Sequence, residues 1–139
     1  MSLAGHNRNG HRVIVACAPL DQHEIGAMIL AVMLRREGYN VFYVGANTPV
    51  ADLADMARAV QPVAVMVSAS SLDAIQQLLA QRAHLDGMAP IVAFGGHGFN
   101  QDPRRAEALG GIYLGADVPD ALRQLARRVR EVAAPGVRA

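Results

Sequence analysis

Five short apolar runs alternate with five amphipathic helical patterns along the chain, and this alternation limits the fold more than any other feature. The runs occupy residues 12–18, 40–44, 63–67, 90–94 and 111–114. The first, third and fourth are almost wholly apolar, as strands of a parallel sheet are when helices cover both faces. The helices between them are marked by spacing and by their ends. Ile25, Met28, Ile29, Val32 and Met33 recur at i, i+3 and i+4, and Gly38 stands where a C′ glycine stops a helix. Thr48-Pro49 reads as a cap followed by proline at the first helical position, ahead of Leu53, Met56 and Val60. Leu72, Ile75, Leu78 and Leu79 mark a third helix, and Asp102-Pro103 opens a fourth. Asp117 with Pro119 opens a fifth, which carries Leu122, Leu125, Val129 and Val132. Five βα units are too few for an eight-stranded barrel. They predict a three-layer open parallel sheet of α/β class, strand order 2-1-3-4-5 with helices on both faces, the Rossmann-like (flavodoxin-like) arrangement.

The expected organisation is one domain over residues 12–133, a disordered polar leader at 1–11 and a flexible tail at 134–139. With 139 residues, 52% of them hydrophobic and 18% charged, the chain has enough apolar surface for a core. Its single cysteine, Cys17, excludes a disulfide framework and any multi-cysteine metal site. All 13 basic residues are arginine, so a Walker-type phosphate loop and Schiff-base chemistry are excluded for want of a lysine. A net charge of +1 with mixed signs gives no case for a nucleic-acid surface. No apolar run approaches the ~20 residues of a membrane span, and the first residues lack the charged start of a signal peptide. The expected location is the cytoplasm, without membrane contact.

In open α/β sheets ligands bind beyond the carboxyl ends of the strands, at the switch point between strands 1 and 3. The loops that matter are therefore Pro-Leu-Asp-Gln-His-Glu-Ile-Gly at 19–26, Ser-Ala-Ser-Ser-Leu at 68–72 and Gly-Gly-His-Gly-Phe-Asn at 95–100. The first loop fits two roles. It could simply start a helix, with Asp21 as N-cap, Glu24 completing a weak capping box and His23 exposed in the first turn. It could equally hold a metal: a loop histidine presents one ring nitrogen outward while a carboxylate two residues earlier holds the other N–H. Gly26 costs about 1 kcal/mol relative to alanine inside a helical pattern, which makes sense if something large presses on the helix backbone there. Other occupants of this fold fit poorly. The first loop is not the Ser/Thr/Gly-rich loop of a flavin mononucleotide site. Strand 3 ends in Ser68 rather than the aspartate of a phospho-receiver, and the glycine pair follows strand 4 instead of strand 1, where a dinucleotide fingerprint belongs.

Asp21-x-His23-x-x-Gly26, Ser68-x-Ser70 and Gly95-Gly96, in this order and after these strands, resemble the cobalamin (vitamin B12)-binding domain family over about residues 12–132. The resemblance implies that His23 replaces the dimethylbenzimidazole base as lower ligand of cobalt, so that the cofactor is held base-off. It also implies that Asp21 hydrogen-bonds His23 and that Gly26 makes room for the corrin. The displaced nucleotide tail would enter a slot beside the sheet, with Ser68 against its base and Gly95 and Gly96 lining the walls. The family's usual Ser-x-Leu after strand 3 is Ser68-Ala69-Ser70 here, so Ser70 is a second hydroxyl candidate for the tail.

Within the family, Leu34-Arg35-Arg36-Glu37-Gly38-Tyr39, Val44-Gly45-Ala46-Asn47-Thr48-Pro49 and Gly-Gly-x-Gly-Phe-Asn at 95–100 look like the C-terminal sensor domain of MerR-type, light-responsive regulators. The implied function is the sensor part of a transcriptional regulator with adenosylcobalamin or methylcobalamin as cofactor. DNA contact would come only through a domain absent from this chain, and a homo-oligomer is the other implied partner. The alternatives are the small cobalamin-binding subunit of a mutase and a corrinoid carrier for methyl transfer, with catalysis supplied by another chain; a third is a domain that keeps the fold without the cofactor. Small mutase subunits usually carry a lysine and an arginine around this first motif, and the loop here has neither.

The remaining candidates read as ordinary structure. His84 and His97 are expected on the surface, His6 and His11 in the leader, and Cys17 as an inert core residue. Arg123, Arg127, Arg128 and Arg130 form a solvated face of the last helix, and the methionines are packing residues.

Overall fold

In the computed structural model, which describes residues 9–133, a strand β1 (Arg12–Cys17) leads through a loop to α1 (Ile25–Arg36). Then follow β2 (Asn40–Gly45), α2 (Val50–Val60), β3 (Ala64–Ser68), α3 (Leu72–Ala80) and a single turn α4 (Arg82–Leu85). The chain continues as β4 (Ile91–Gly95), the turn α5 (His97–Asn100), α6 (Arg104–Ala108), β5 (Ile112–Tyr113) and α7 (Val118–Ala133). All strands pair in parallel in the order β2-β1-β3-β4-β5, as the alternation predicts. Residues 1–8 of the expected leader and the expected tail at 134–139 lie outside the described residues. Asn9 and His11 are described, and Asn9 donates its backbone N–H to Gly38 O at 3.1 Å. No described helix is long and apolar enough to cross a membrane.

Period-2 alternation sends the two faces of each strand into separate cores. On one face Ile14, Val65, Val67 and Phe94 pack against α2, α3, α5 and α6. On the other, Val13, Val15, Met66 and Ala93 pack against α1 and α7. Phe94 stacks on Phe99 with ring centroids 5.2 Å apart, so the unpredicted turn α5 exists to deliver an aromatic ring to the first core.

Several ends follow the sequence. Gly38, at φ +96°, ends α1 in a Schellman arrangement, with Tyr39 N bonded to Leu34 O and Gly38 N to Arg35 O. Asp117 Oδ1 accepts from Asp120 N at 2.8 Å and starts α7. Others do not. The residue flanking α1 is Glu24, with no side-chain cap, and Asp21 lies three residues earlier, buried. Thr48 does not cap α2: its hydroxyl donates to Gly45 O, and Pro49 rather than Thr48 flanks the helix.

The largest departure is the orientation of α1. The apolar stripe expected to face the core points outward instead, with Ile25, Met28, Ile29 and Val32 respectively 75%, 50%, 49% and 52% exposed. The face against the sheet is Ala27, Ala31 and Leu34. Nearly every residue from 25 to 34 is apolar, so periodicity alone could not choose a face. The small side chains decide it, because Ala27 and Ala31 allow the helix to sit close over Val13, Val15 and Cys17. Met28 is accordingly not a packing residue, whereas Met66 is.

Candidate functional site

The carboxyl ends of β1, β3 and β4 bring the three loops to one edge of the sheet. In the first, Asp21 N bonds to Ala18 O at 3.0 Å and closes a turn that holds Leu20 at φ +70°. A left-handed conformation costs a bulky residue about 1–2 kcal/mol, so something must hold it there. Two bonds do so: Leu20 N donates to Asn47 Oδ1 at 2.8 Å, and Asn47 N donates to Asp21 O at 2.9 Å.

Asp21 is 1% exposed, and burying a carboxylate is costly unless its oxygens are satisfied. Here they are. Oδ2 accepts from Ser70 N at 2.9 Å, and Oδ1 accepts from Ser70 Oγ at 2.8 Å and from His23 N at 2.9 Å. His23 Nδ1 lies 2.9 Å from Ser70 Oγ and 3.3 Å from Asp21 Oδ1. Because the Ser70 hydroxyl proton is directed to Asp21, both neighbours of Nδ1 are acceptors towards it, which places the ring proton on Nδ1. The lone pair then sits on Nε2, and no hydrogen bond from the described residues reaches that atom. The His23 side chain is 82% exposed. The result is an imidazole with one nitrogen fixed and the other presented outward, on the metal-ligand pattern.

Among the described residues no group of three or more His, Cys, Asp or Glu could enclose an ion. One outward imidazole therefore suits a metal that brings its remaining ligands with it, as in a macrocycle, and not a naked cation.

Beside this loop a slot of about 180 Å³ opens between the sheet edge and helices α1 and α7. Its walls include Val15, Met66, Ser68, Phe94 and Leu114. Gly26, Gly95 and Gly96 line it too. A Cβ added at Gly26 or Gly95 would meet no atom within 4 Å and would only fill open space, whereas one at Gly96 would come within 2.8 Å of Ala69 O. Gly96 also has φ +101°, so its backbone requires glycine apart from any ligand.

The structure thus groups the seven residues singled out in the sequence into two places. Asp21, His23 and Ser70 form one hydrogen-bonded cluster; Gly26, Ser68, Gly95 and Gly96 line the slot. His97 and His84 are exposed and outside both. Arg123, Arg127 and Arg130 are exposed, while Arg128 is half-buried and its Nε has no hydrogen-bond partner among the described residues. Sequence reasoning missed Tyr43, whose hydroxyl donates to Glu24 Oε1 at 2.6 Å. Burial, and then the hydrogen bond to Glu24, raise the Tyr43 phenol above its usual range and keep it a donor. Only a sheet register that sets β2 beside β1 brings these residues together. Cys17, under the same loop, is buried, and burial with the charges of Asp21 and Glu24 pushes its thiol up to about 11.

The model of the B12 binding domain matches residues 11–126. The chain is 31% identical over 107 residues to the HTH-type transcriptional repressor CarA of Myxococcus xanthus, which covers 75% of this chain and 37% of the repressor. A cobalamin-binding protein from Desulfitobacterium hafniense DCB-2 superposes with a TM-score of 0.77 at 22% identity, over 86% of this chain and 60% of that one. The methanol:cobalamin methyltransferase complex MtaBC from Methanosarcina barkeri superposes with a TM-score of 0.75 at 24% identity, over 86% of this chain and 46% of that one. The chain therefore spans less than two thirds of each of these relatives, and at such identities the two structures speak for the fold alone.

Proposed function

The chain belongs to the B12-binding domain family, and from that premise we propose that it holds cobalamin base-off, with His23 as the lower axial ligand of cobalt. What carries the proposal is the outward Nε2 of His23, with Nδ1 held by the buried Asp21–Ser70 pair at the same sheet edge as the slot. The slot's apolar walls and its glycines suit a flat base, and Ser68 offers that base a hydroxyl. When bound, the cofactor supplies an upper cobalt–ligand bond that can be exchanged or broken. The protein's own part is to bind and orient. His23 would offer its Nε2 lone pair, while Ser70 and Asp21 keep the proton on Nδ1 and hold the ring in place. Gly26 leaves the start of α1 open to a large ligand, and the slot excludes water from the tail.

The biological role that fits best is the sensing part of a cytoplasmic transcriptional regulator, with DNA contacted by segments outside this chain. The identity with an HTH-type repressor supports this over a methyl-transfer carrier, for which the likeness is one of fold, and the first loop lacks the lysine and arginine usual in small mutase subunits.

The test is spectroscopic. Purified chain is mixed with hydroxo- or adenosylcobalamin, desalted, and its visible spectrum recorded. Cobalamin is expected to stay bound, and His23→Ala should move its bands toward those of the base-off, water-ligated cofactor. Asp21→Ala should weaken binding by about 10–100-fold, as loss of a partner behind a metal ligand does. A colourless desalted protein, or a His23→Ala spectrum identical to the parent's, overturns the proposal.

A further inference from the structure

The loop that carries His23 is held from two sides. The loop after β3 holds the His23 side chain through Ser70. The opposite side belongs to β2 and the turn that follows it, and there the contacts are to backbone and to the residues flanking His23. Tyr43, near the end of β2, donates its hydroxyl to Glu24, the residue directly after His23. Glu24 Oε1 also lies over Gly45, where an added Cβ would stand 3.3 Å away, so the chain leaves room for this carboxylate. Asn47, at φ +50°, accepts from Leu20 N with its side chain and donates its own N–H to Asp21 O. Thr48 secures the turn by bonding Gly45 O with its hydroxyl and Cys17 O with its N–H.

None of these residues lines the slot, and the Glu24 side chain does not cap α1. Leu20 would relax from its left-handed conformation if Asn47 Oδ1 were lost, and Leu20 stands three residues before His23, inside the Ala18–Asp21 turn that leads to it. A histidine that must meet a ligand atom at coordinate-bond distance tolerates little of such movement, since a misplacement on the scale of 1 Å is enough to break the match.

We propose that Tyr43, through Glu24, and Asn47, through Leu20 and Asp21, are positioning residues that set where His23 presents Nε2. The proposal rests on His23 being a cobalt ligand, and its test separates the two. Tyr43→Phe removes one hydroxyl and keeps the ring. Asn47→Gly removes the side-chain acceptor but tolerates the positive φ, and Asn47→Asp retains an acceptor oxygen at the same place. Two quantities are read: the ratio of nitrogen-ligated to water-ligated cobalamin in the visible spectrum at fixed pH, and amide exchange at Asp21 and His23 in the cofactor-free chain. The ratio should fall roughly tenfold in Tyr43→Phe and Asn47→Gly, the lower end of the loss seen for groups behind a metal ligand. Exchange at Asp21 and His23 should rise in the same variants while the strand amides stay protected, and Asn47→Asp should restore both toward the parent. Tyr113→Phe, which removes a hydroxyl bonded to Asn100 away from this loop, should change neither.

If both variants keep the parental ratio and exchange while His23→Ala changes the spectrum, the positioning role is overturned and the ligand assignment stands. If exchange rises equally in the strands, the two residues serve only general stability and the proposal fails. If His23→Ala leaves the spectrum unchanged, the ligand assignment fails and the positioning role falls with it.

Discussion

A methyl group added at Gly26 would meet no atom within 4 Å, although the residue lies in the first turn of α1 and lines the slot. Alanine is the better helix former by up to about 1 kcal/mol. Gly26→Ala should therefore raise the melting temperature of the free chain and at the same time weaken its retention of cobalamin, because the methyl fills space the ligand needs. Melting curves with and without cofactor check this, and unchanged retention would show that nothing presses on α1 at that point. At Gly96 the need is different in kind, since a Cβ 2.8 Å from Ala69 O strains the free chain as well. The spacing Asp21-x-His23-x-x-Gly26 was legible in the sequence, but what satisfies Asp21 was not. Two of its hydrogen bonds come from Ser70, 49 residues away, and that pairing exists only because β3 lies beside β1 in the sheet.

Helix α1 shows how an element can be recognised and still be turned the wrong way. Its existence and its stop at Gly38 follow from local chemistry, but a stretch of almost unbroken apolar residues leaves the rotation open. Packing of small residues against β1 settles it. Met28→Lys, on the half-exposed face, should change stability by less than about 0.5 kcal/mol. Ala31→Lys, on the 2% exposed face, should cost about 3 kcal/mol or more, through overpacking and a buried charge. Urea midpoints of the two variants decide between the faces, and the reverse ranking would restore the orientation that the i, i+3, i+4 stripe suggested. The single turns α4 and α5 escaped sequence reading for a related reason. Each has only four residues, too few for a period to register, and is held by tertiary contacts such as Phe99 on Phe94.

The molecule as a whole places its one thiol under the loop that carries His23, and stability should report on that placement. Cys17 titrates at about 11 in the folded chain against a reference of 9.0, so the folded state holds its proton longer than the unfolded state does. Its contribution to stability is then fully present below pH 9.0 and is lost as pH rises towards 11. Urea denaturation at pH 8, 9.5 and 11 should show a steeper fall for the parent than for Cys17→Ala; parallel curves would mean that the thiolate is not disfavoured. At this scale the alternation of five runs and five helices was enough to predict an open parallel sheet covered on both faces, and the observed order is the one commonest for five such strands. That topology also sends the loops after β1, β3 and β4 to one edge, where the family resemblance put the candidate site. The tertiary structure alone decided which groups meet: Ser70 with Asp21 and His23, Tyr43 with Glu24, Asn47 with Leu20. Each of these pairs joins different βα units, and no local propensity encodes such a contact; it forms only when strand register and close helix packing bring the two segments together.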